Sequence, residues 1–206
     1  MITLEQLLES RDRRAEHQRC LQETYPDRVL LCLTVQLPGS VKRNQISLTI
    51  AEAGVEAVRQ AFAPEYEELK DLETGFEGYF LLSGDPLEVK RRACEIEDSH
   101  PLGRLMDIDV LSVSDAEDGY LRAWGSRWLR EIGFSGTAPK NNFPMPPALQ
   151  MPISREAIGL PPRKCLLCGL PARVCMRAHT HSQAELLDKI EQMVKSYKNL
   201  PYIIDK

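Results

Sequence analysis

Two aspartates interrupt an otherwise apolar run, GRLMDIDVLSV, at residues 103–113. Side chains of a β-strand alternate between its two faces, so Asp107 and Asp109 would share one face, together with Leu105, Leu111 and Val113. Adjacent carboxylates repel each other and are costly to bury without a cation. Because Mg²⁺ prefers oxygen ligands, the pattern predicts a magnesium site on this strand. A pair of solvent-exposed aspartates on an edge strand is the alternative, which the apolar residues on the same face disfavour.

A second set of candidate ligands stands near the end of the chain, in RKCLLCGLPARVCMRAHTH. It contains a C-x2-C pair, a third cysteine and two histidines, which are Cys165, Cys168, Cys175, His179 and His181. Three thiols and one imidazole are the ligand types and number of a tetrahedral structural zinc site. Two alternatives stay open: a redox C-x-x-C pair, and a cluster of reduced structural thiols beneath the last helix.

The N-terminal segment is predicted to bring basic side chains toward the core. Thr3 and Gln6 form a capping box, which predicts a helix that runs to about residue 23. Its apolar stripe continues into Arg11 and Arg14 at helical spacing, so we expect both guanidinium groups to face inward, at the rim of a pocket. A solvated charged turn at residues 11–14 is the alternative.

The next segments predict the sheet that carries the aspartates. RVLLCLTVQL, at residues 28–37, has the length and apolar content of a central strand covered on both faces. It ends in a loop in which Gly39 allows close backbone approach and Lys42 could hold phosphate oxygens. Apolar spacing and an Asp-Pro helix start then predict a helix, a strand and a helix, at residues 51–63, 76–83 and 86–98.

This order of elements predicts an α+β fold with a mixed central β-sheet flanked by helices. Residues 115–150 are proline-rich and weakly patterned, so we expect an insertion there. A capping box at Ser182 begins a final amphipathic helix. We therefore expect a single domain over residues 1–206, with a Cys/His knuckle and a helix at residues 160–206.

The composition bounds the class of protein. The chain has 206 residues, 27% charged and 43% hydrophobic, which is typical of one folded domain. A net charge of −4 gives no support to nucleic-acid or membrane binding. The first residues lack the apolar core of a signal peptide and no run has the length of a membrane span, so we expect a cytoplasmic protein.

Taken together and in this order, several segments resemble one family, the apo-citrate lyase phosphoribosyl-dephospho-CoA transferases, also called holo-citrate lyase synthases. The matching segments cover nearly the whole chain outside residues 115–150. They are SRDRR at 10–14, PGSVK at 38–42, GFEG at 75–78, SHPLGRLMDIDVL at 99–111, ISRE at 153–156, LPPRKCLLC at 160–168 and VCMRAHTH at 174–181.

The resemblance implies a nucleotidyltransferase-like enzyme and a specific reaction. The enzyme would move the 2'-(5''-phosphoribosyl)-3'-dephospho-CoA group from triphosphoribosyl-dephospho-CoA to a serine of the acyl-carrier subunit of citrate lyase, releasing pyrophosphate. Asp107 and Asp109 would coordinate Mg²⁺ on the donor's triphosphate, and one of them, with Asp109 favoured, would accept the serine proton. Glu77 is the nearest candidate for a third carboxylate.

The resemblance also assigns basic residues to the donor's phosphates. Arg104 would stabilise charge on the attacked phosphorus, and the remaining oxygens would be held by Arg11, Arg14, Gly39 and Lys42. His100 is placed among the substrate-binding residues and is a weaker candidate to accept the serine proton, because a histidine at a turn is at least as often structural.

Two rival functions remain. One is the equivalent transferase for the malonate decarboxylase carrier, for which we expect a Ser-Asp-x-Asp version of the aspartate motif that this chain lacks. The other is a noncatalytic, zinc-stabilised interaction module of the citrate lyase complex. That module would explain the cysteine cluster and leave the two aspartates unexplained.

Overall fold

The computed structural model describes residues 2–112 and 151–200, which form one β-sheet with helices on both of its faces. The predicted insertion at residues 115–150 lies outside these ranges. The helices are α1 (Leu4–Thr24), α2 (Gln45–Phe62), α3 (Pro86–Ser99), α4 (Ala172–Ala178) and α5 (Gln183–Lys198). The strands are β1 (Val29–Val35), β2 (Tyr66–Leu72), β3 (Gly75–Leu82), β4 (Met106–Ser112) and β5 (Met151–Pro152). Among the described helices, none combines the length and apolar content that a bilayer span needs.

The strands lie in the order β2-β3-β1-β4-β5, and each neighbouring pair is antiparallel. The predicted α+β class is confirmed, but the predicted mixed sheet is wrong. The reason is the way two β-α-β segments interleave. α2 connects β1 to β2, and β3 lies between these two strands. α3 connects β3 to β4, and β1 lies between those two. This interleaved arrangement is the split βαβ, or ferredoxin-like, topology.

Local sequence signals explain where most helices begin. The side chains of Thr3, Asp85 and Ser182 cap α1, α3 and α5 by accepting backbone N–H groups of the first turn, as predicted. α2 begins at Gln45, earlier than the predicted start at residue 51, because Asn44 and Ser47 form a capping box ahead of the apolar stripe. The helix boundaries therefore follow from short-range hydrogen bonds.

The sequence patterns predict no strand at residues 66–72, where the structure has β2. The sequence of β2, YEELKDL, is largely polar, and its side chains are exposed or half-buried. It pairs with β3 along its whole length at the edge of the sheet. An edge strand of this kind needs no apolar face, so hydrophobic periodicity does not detect it.

Different helices cover the two faces of the sheet. On one face, β1 and β4 pack against α2, α3 and α5 in the larger core, which includes Leu31, Leu33, Ile50, Val58, Val89, Ala93, Met106, Ile108, Val110, Ile190 and Val194. On the other face, α1 packs on a smaller cluster of Leu21, Leu30, Cys32, Tyr79, Leu81 and Leu111. Because side chains alternate along β4, Asp107 and Asp109 lie on the face that α1 partly covers.

Candidate active site

Asp107 and Asp109 face two residues of the central strand. In the register of β1 and β4, Asp107 lies opposite Thr34 and Asp109 lies opposite Cys32. Thr34 also lies opposite Glu77 of β3, so Glu77, Thr34 and Asp107 form one row across three strands. Both aspartates are half-buried. This face of the sheet therefore holds a carboxylate pair directly beside a buried apolar cluster.

Asp107 accepts hydrogen bonds from two sides. Nη1 of Arg163 donates to Oδ1 at 3.1 Å, and Nε2 of Gln36 donates to Oδ2 at 3.1 Å. Gln36 directly follows β1, and its backbone N–H donates to the Leu105 carbonyl at 2.9 Å, which fixes it beside the start of β4. These contacts orient the carboxylate and neutralise part of its charge.

Asp109 is the carboxylate of this pair whose ionisation is hindered. Burial disfavours its charged form and the charge of Asp107 adds repulsion, so the pKa of Asp109 is raised to about 6. The ammonium group of Lys90, 4.0 Å from Oδ1, offsets only part of this effect. Mg²⁺ in phosphate-handling sites commonly takes one or two protein carboxylates, with phosphate oxygens and water as its other ligands. An incompletely neutralised pair of carboxylates fits that requirement.

Glu77 lies on the same face but already has its own partners. Nε of Arg14 donates to Oε1 at 2.9 Å, and the hydroxyl group of Tyr79 donates to Oε2 at 2.5 Å. Glu77 is buried, and burial together with this hydrogen bond raises the pKa of Tyr79. Both carboxylate oxygens of Glu77 are thus occupied, so the residue serves to anchor Arg14 beside the sheet.

The two arginines predicted to face inward behave differently. Arg14 is half-buried and contacts Glu77, whereas Arg11 is exposed on α1. The inward orientation is therefore observed for Arg14 and not for Arg11. The buried position one turn earlier belongs to Ser10, whose hydroxyl group hydrogen-bonds Thr74 at 2.8 Å, and this contact docks α1 on the β2–β3 hairpin.

The Pro-Gly loop that follows β1 lies at the same end of the sheet as Asp107. Gly39 has a φ of +85°, and a Cβ atom at this position would meet the side-chain amide of Gln183 on α5. Nζ of Lys42 donates to the Leu37 carbonyl, and burial lowers the pKa of Lys42. The loop is thus closed on itself and packed against α5.

Arg104 and His100 make their contacts away from the aspartates. Arg104 donates to the Lys164 carbonyl, and burial together with the nearby charge of Arg163 lowers the pKa of Arg104. Nδ1 of His100 accepts the Leu102 backbone N–H at 3.0 Å, and its ring lies 5.4 Å from that of Tyr197. Burial lowers the pKa of His100. These contacts join the start of β4 to the C-terminal segments.

Side chains of α3 form hydrogen bonds with the backbone at the outer edge of β4, the strand that carries the aspartates. Within the described ranges β5 pairs only with Leu111 and Ser112, so a strand neighbour is missing at Ile108. There, Oε1 of Glu97 accepts the Ile108 N–H at 2.8 Å, and Nζ of Lys90 donates to the Ile108 carbonyl at 2.8 Å. Both side chains are buried. The backbone between the two aspartates is thus held on both edges.

Two arginines that the sequence analysis left without a role converge on this edge. Arg155 donates to Oε2 of Glu97 at 3.1 Å, and Arg163 lies 3.8 Å from Oε1 of Glu97 while also contacting Asp107. Arg155 stands in the segment ISRE and Arg163 in LPPRKCLLC. Both segments are recognisable in the sequence as motifs. Their contacts with Glu97 are not, because Glu97 is far from both segments in the sequence.

The predicted Cys/His knuckle forms a compact cluster. One ligand atom from each of Cys165, Cys168, Cys175 and His181 lies within 4.8 Å of all the others. Sγ of Cys168 is 3.4 Å from Sγ of Cys175 and 3.4 Å from Nε2 of His181. Zinc–sulfur bonds of about 2.3 Å in tetrahedral geometry bring donor atoms to similar separations, so these four side chains fit one zinc ion.

The thiols of the cluster differ in their acidity. Burial opposes ionisation of Cys165, but the backbone N–H groups of Leu167 and Cys168 and the other thiols donate hydrogen bonds to it, so its pKa falls to about 7. Burial and the hydrogen bonds with Cys168 and Cys165 raise the pKa of Cys175 to about 11. A thiolate at Cys165 is the form that binds a metal ion.

Comparisons of the sequence with known proteins point to one family. The family model described as apo-citrate lyase phosphoribosyl-dephospho-CoA transferase matches residues 2–121 and 148–197. A probable transferase of that name from Streptococcus pyogenes serotype M18 is 29% identical over 201 residues, covering 96% of this chain and 88% of the relative. Its namesake in Escherichia coli O6:K15:H31 is 29% identical over 198 residues, covering 94% and 88%. Protein CitXG of Haemophilus influenzae is 31% identical over 201 residues, which cover 95% of this chain and 36% of that protein.

The matched ranges include the aspartate strand, the Pro-Gly loop and the whole Cys/His knuckle. They leave out residues 122–147, within the segment that the sequence analysis predicts to be an insertion. Since the match covers most of the chain, the protein belongs to the apo-citrate lyase phosphoribosyl-dephospho-CoA transferase family.

Proposed function

We propose that this protein transfers the 2'-(5''-phosphoribosyl)-3'-dephospho-CoA group from triphosphoribosyl-dephospho-CoA to a serine of the apo acyl-carrier subunit of citrate lyase. The observation that carries the proposal is the half-buried carboxylate pair of Asp107 and Asp109, set beside Arg163, in a chain of this family. Pyrophosphate leaves, so the reaction is of the nucleotidyltransferase type. A phosphoryl-transfer site of this kind depends mainly on positioning and electrostatic stabilisation.

The transfer needs a base that accepts the serine proton and a carboxylate that is held in a fixed position. We assign these two roles to different aspartates. The serine Oγ attacks the α-phosphorus of the donor, the bond from this phosphorus to pyrophosphate breaks, and the serine proton moves to a base. We assign that role to Asp109, because Asp107 is already held by hydrogen bonds from Arg163 and Gln36. Asp107, held by Arg163 and Gln36, is the fixed carboxylate in this proposal.

Basic residues around the pair would hold the donor's phosphate oxygens. Arg14 is anchored by Glu77, and Lys42 lies in the loop at the same end of the sheet. Arg11 is an exposed cation one turn before Arg14 and extends this basic surface. We assign Arg104 and His100 a supporting role, since Arg104 contacts the knuckle and His100 packs beside α5.

Two metal ions complete the proposal. Asp107 and Asp109 would hold Mg²⁺, which when bound neutralises phosphate charge and makes the attacked phosphorus more electrophilic. The Cys/His knuckle would hold a structural zinc ion, because its four donor atoms have the right types and spacing. We also propose a single transferase domain over the whole chain with an insertion at residues 115–150, which the gap in the family match supports.

Intact-mass spectrometry of the carrier tests the proposed reaction. Apo acyl-carrier subunit would be incubated with triphosphoribosyl-dephospho-CoA and the protein, in Mg²⁺, in EDTA, and in EDTA followed by excess Mg²⁺. We expect the carrier to gain the mass of the prosthetic group only where Mg²⁺ is free. Asp107→Asn should reduce the rate by at least about a hundredfold. Asp12→Asn, which changes an exposed aspartate on α1, should leave the rate unchanged.

Three results would overturn parts of this proposal. Full activity of Asp107→Asn would remove the metal role of the pair. Faster modification of a malonate decarboxylase carrier than of the citrate lyase carrier would replace the acceptor. No mass gain with a validated donor and carrier, together with stable binding to the carrier, would favour the noncatalytic interaction module.

A further inference from the structure

Arg163 connects the knuckle to the candidate active site. Nη1 of Arg163 donates to Oδ1 of Asp107 at 3.1 Å, and Nη2 donates to the Met106 carbonyl and, at 3.4 Å, to the Gly103 carbonyl. Its side chain is 21% exposed. The guanidinium group thus holds both the backbone at the start of β4 and the carboxylate of Asp107.

The backbone of Arg163 is itself part of the knuckle. The Arg163 carbonyl accepts the backbone N–H of Ala172 at 2.8 Å, and the Cys165 N–H donates to the Leu170 carbonyl at 2.7 Å. Ala172 begins α4, which carries Cys175. Residues 163–172 therefore form a closed loop whose two sides are joined by hydrogen bonds and by the cysteine cluster.

Few apolar contacts stabilise this loop. Leu166 packs, partly buried, against the larger core, whereas Leu170 and Val174 are exposed and Cys175 is the buried residue of the short helix α4. A segment with so little buried apolar surface depends on another source of cohesion. The four ligand atoms within 4.8 Å of one another supply that source when they bind a metal ion.

We infer that zinc bound by Cys165, Cys168, Cys175 and His181 holds Arg163 against Asp107, which makes Arg163 a positioning residue for the carboxylate that binds magnesium. The inference rests on the proposed function where it names Asp107 as a magnesium ligand. Groups that hydrogen-bond a metal ligand fix its orientation, and their loss costs about tenfold to a hundredfold in metal affinity or activity. The zinc site therefore acts on the reaction without contacting the substrate.

Metal binding to matched variants tests this coupling without relying on transfer activity. Zinc content would be measured by elemental analysis, and binding of Mn²⁺, a probe for the magnesium site, by electron paramagnetic resonance. The variants are Arg163→Met, Arg163→Lys and the pair Cys165→Ser with Cys168→Ser. Arg173→Met is the control, since Arg173 is an exposed arginine of the same segment that pairs with exposed Glu156. Circular dichroism checks that each variant is folded.

We expect one zinc ion per wild-type chain. Arg163→Met should keep its zinc and bind Mn²⁺ at least about tenfold more weakly, with partial recovery in Arg163→Lys, whereas the control should match wild type. The double cysteine variant should lose zinc and show the same weakened Mn²⁺ binding. If that variant does not fold, withdrawal of zinc from wild type by a chelator, followed by Mn²⁺ titration, gives the same comparison.

Each contrary result has a distinct meaning. Wild-type Mn²⁺ affinity in the zinc-free protein, or in Arg163→Met, would overturn the coupling even if the carrier is modified normally. A wild-type chain without zinc, or without measurable Mn²⁺ binding, would overturn it as well. Weakened Mn²⁺ binding in the variants of a protein that never modifies the carrier would leave the coupling standing and refute the proposed function.

Discussion

At the scale of single residues, Asp109 lies in an environment that disfavours its own ionisation. Its raised pKa means that the protonated form fits the fold better than the carboxylate does. The contribution of Asp109 to stability is therefore fully present below its unfolded-state pKa of about 3.9 and is lost as the pH rises through about 6. At neutral pH the folded protein carries a partly buried negative charge that a bound cation would neutralise.

The metal-free Asp109→Asn variant is expected to be more stable than wild type at about pH 7.5, while losing transfer activity. Because the Asp109 side chain is 41% exposed, solvent screening limits the gain to about 1 kcal/mol. Near pH 4 the gain should disappear, since wild-type Asp109 is then protonated. Urea unfolding at both pH values measures this difference. A variant that is equally or less stable than wild type at about pH 7.5 would contradict the raised pKa of Asp109.

At the scale of elements, side chains of α3 cover the outer edge of β4 at Ile108, where no strand of residues 2–112 and 151–200 pairs with that edge. The Glu97 carboxylate accepts the Ile108 N–H, and the Lys90 ammonium group donates to the Ile108 carbonyl. Arg155 and Arg163 both contact the Glu97 carboxylate. Buried charged groups of this kind are costly unless all of them are paired. The edge therefore depends on the complete set of side chains.

Replacement of Glu97 by alanine should be among the more damaging changes outside the site. It leaves the Ile108 N–H without its buried acceptor and removes a buried carboxylate that Arg155 hydrogen-bonds and that Arg163 pairs with at 3.8 Å, so we expect a loss of about 3 kcal/mol in the free energy of unfolding. Glu95→Ala, on the exposed side of the same helix, is the control and should change this value by less than about 0.5 kcal/mol. Similar urea midpoints for both variants would argue against the network.

The elements also show what the sequence can and cannot predict. The caps at Thr3, Asp85 and Ser182 and the central strand β1 were predictable, because each depends on neighbouring residues or on a continuous apolar run. The sequence does not indicate β2, because the polar residues of this strand lack hydrophobic periodicity. The mixed sheet is a wrong prediction, because the sequence does not show that β3 lies between β1 and β2 or that β1 lies between β3 and β4.

The candidate site was predictable to a similar extent. The carboxylate pair and the four knuckle ligands each lie close together in sequence, so their patterns were visible. The partners of Asp107 were not, because Gln36 and Arg163 lie 71 and 56 residues away from it. Arg11 was expected inward because one helical stripe was extended too far, and Ser10 takes the buried position instead.

At the scale of the whole molecule, the site draws on three parts of the chain. The split βαβ core supplies the aspartates, α1 supplies Arg14, and the knuckle supplies Arg163. The core has its own buried cluster, whereas the knuckle has few buried apolar residues. Stability should therefore be unevenly distributed between them.

Zinc withdrawal should loosen the knuckle and spare the sheet. We expect a chelator to raise amide hydrogen exchange over residues 163–181, while the strands β1 and β3 keep their protection. Zinc at a hundredfold excess over its Kd contributes about 2.7 kcal/mol, so Tm should fall by roughly 5–10 °C. Exchange that rises equally in β1 and in the knuckle would instead show that zinc supports the whole fold.

The position of Arg163 in the chain has a consequence for the timing of synthesis. Arg163 is added 56 residues after Asp107, when the strands β1 to β4 have already been translated. Both aspartates are thus present in a nascent chain that still lacks the arginine contacting Asp107 and the helix α5, which packs on the larger core. The contact between Arg163 and Asp107 can therefore form only late in synthesis, well after the aspartate strand has been made.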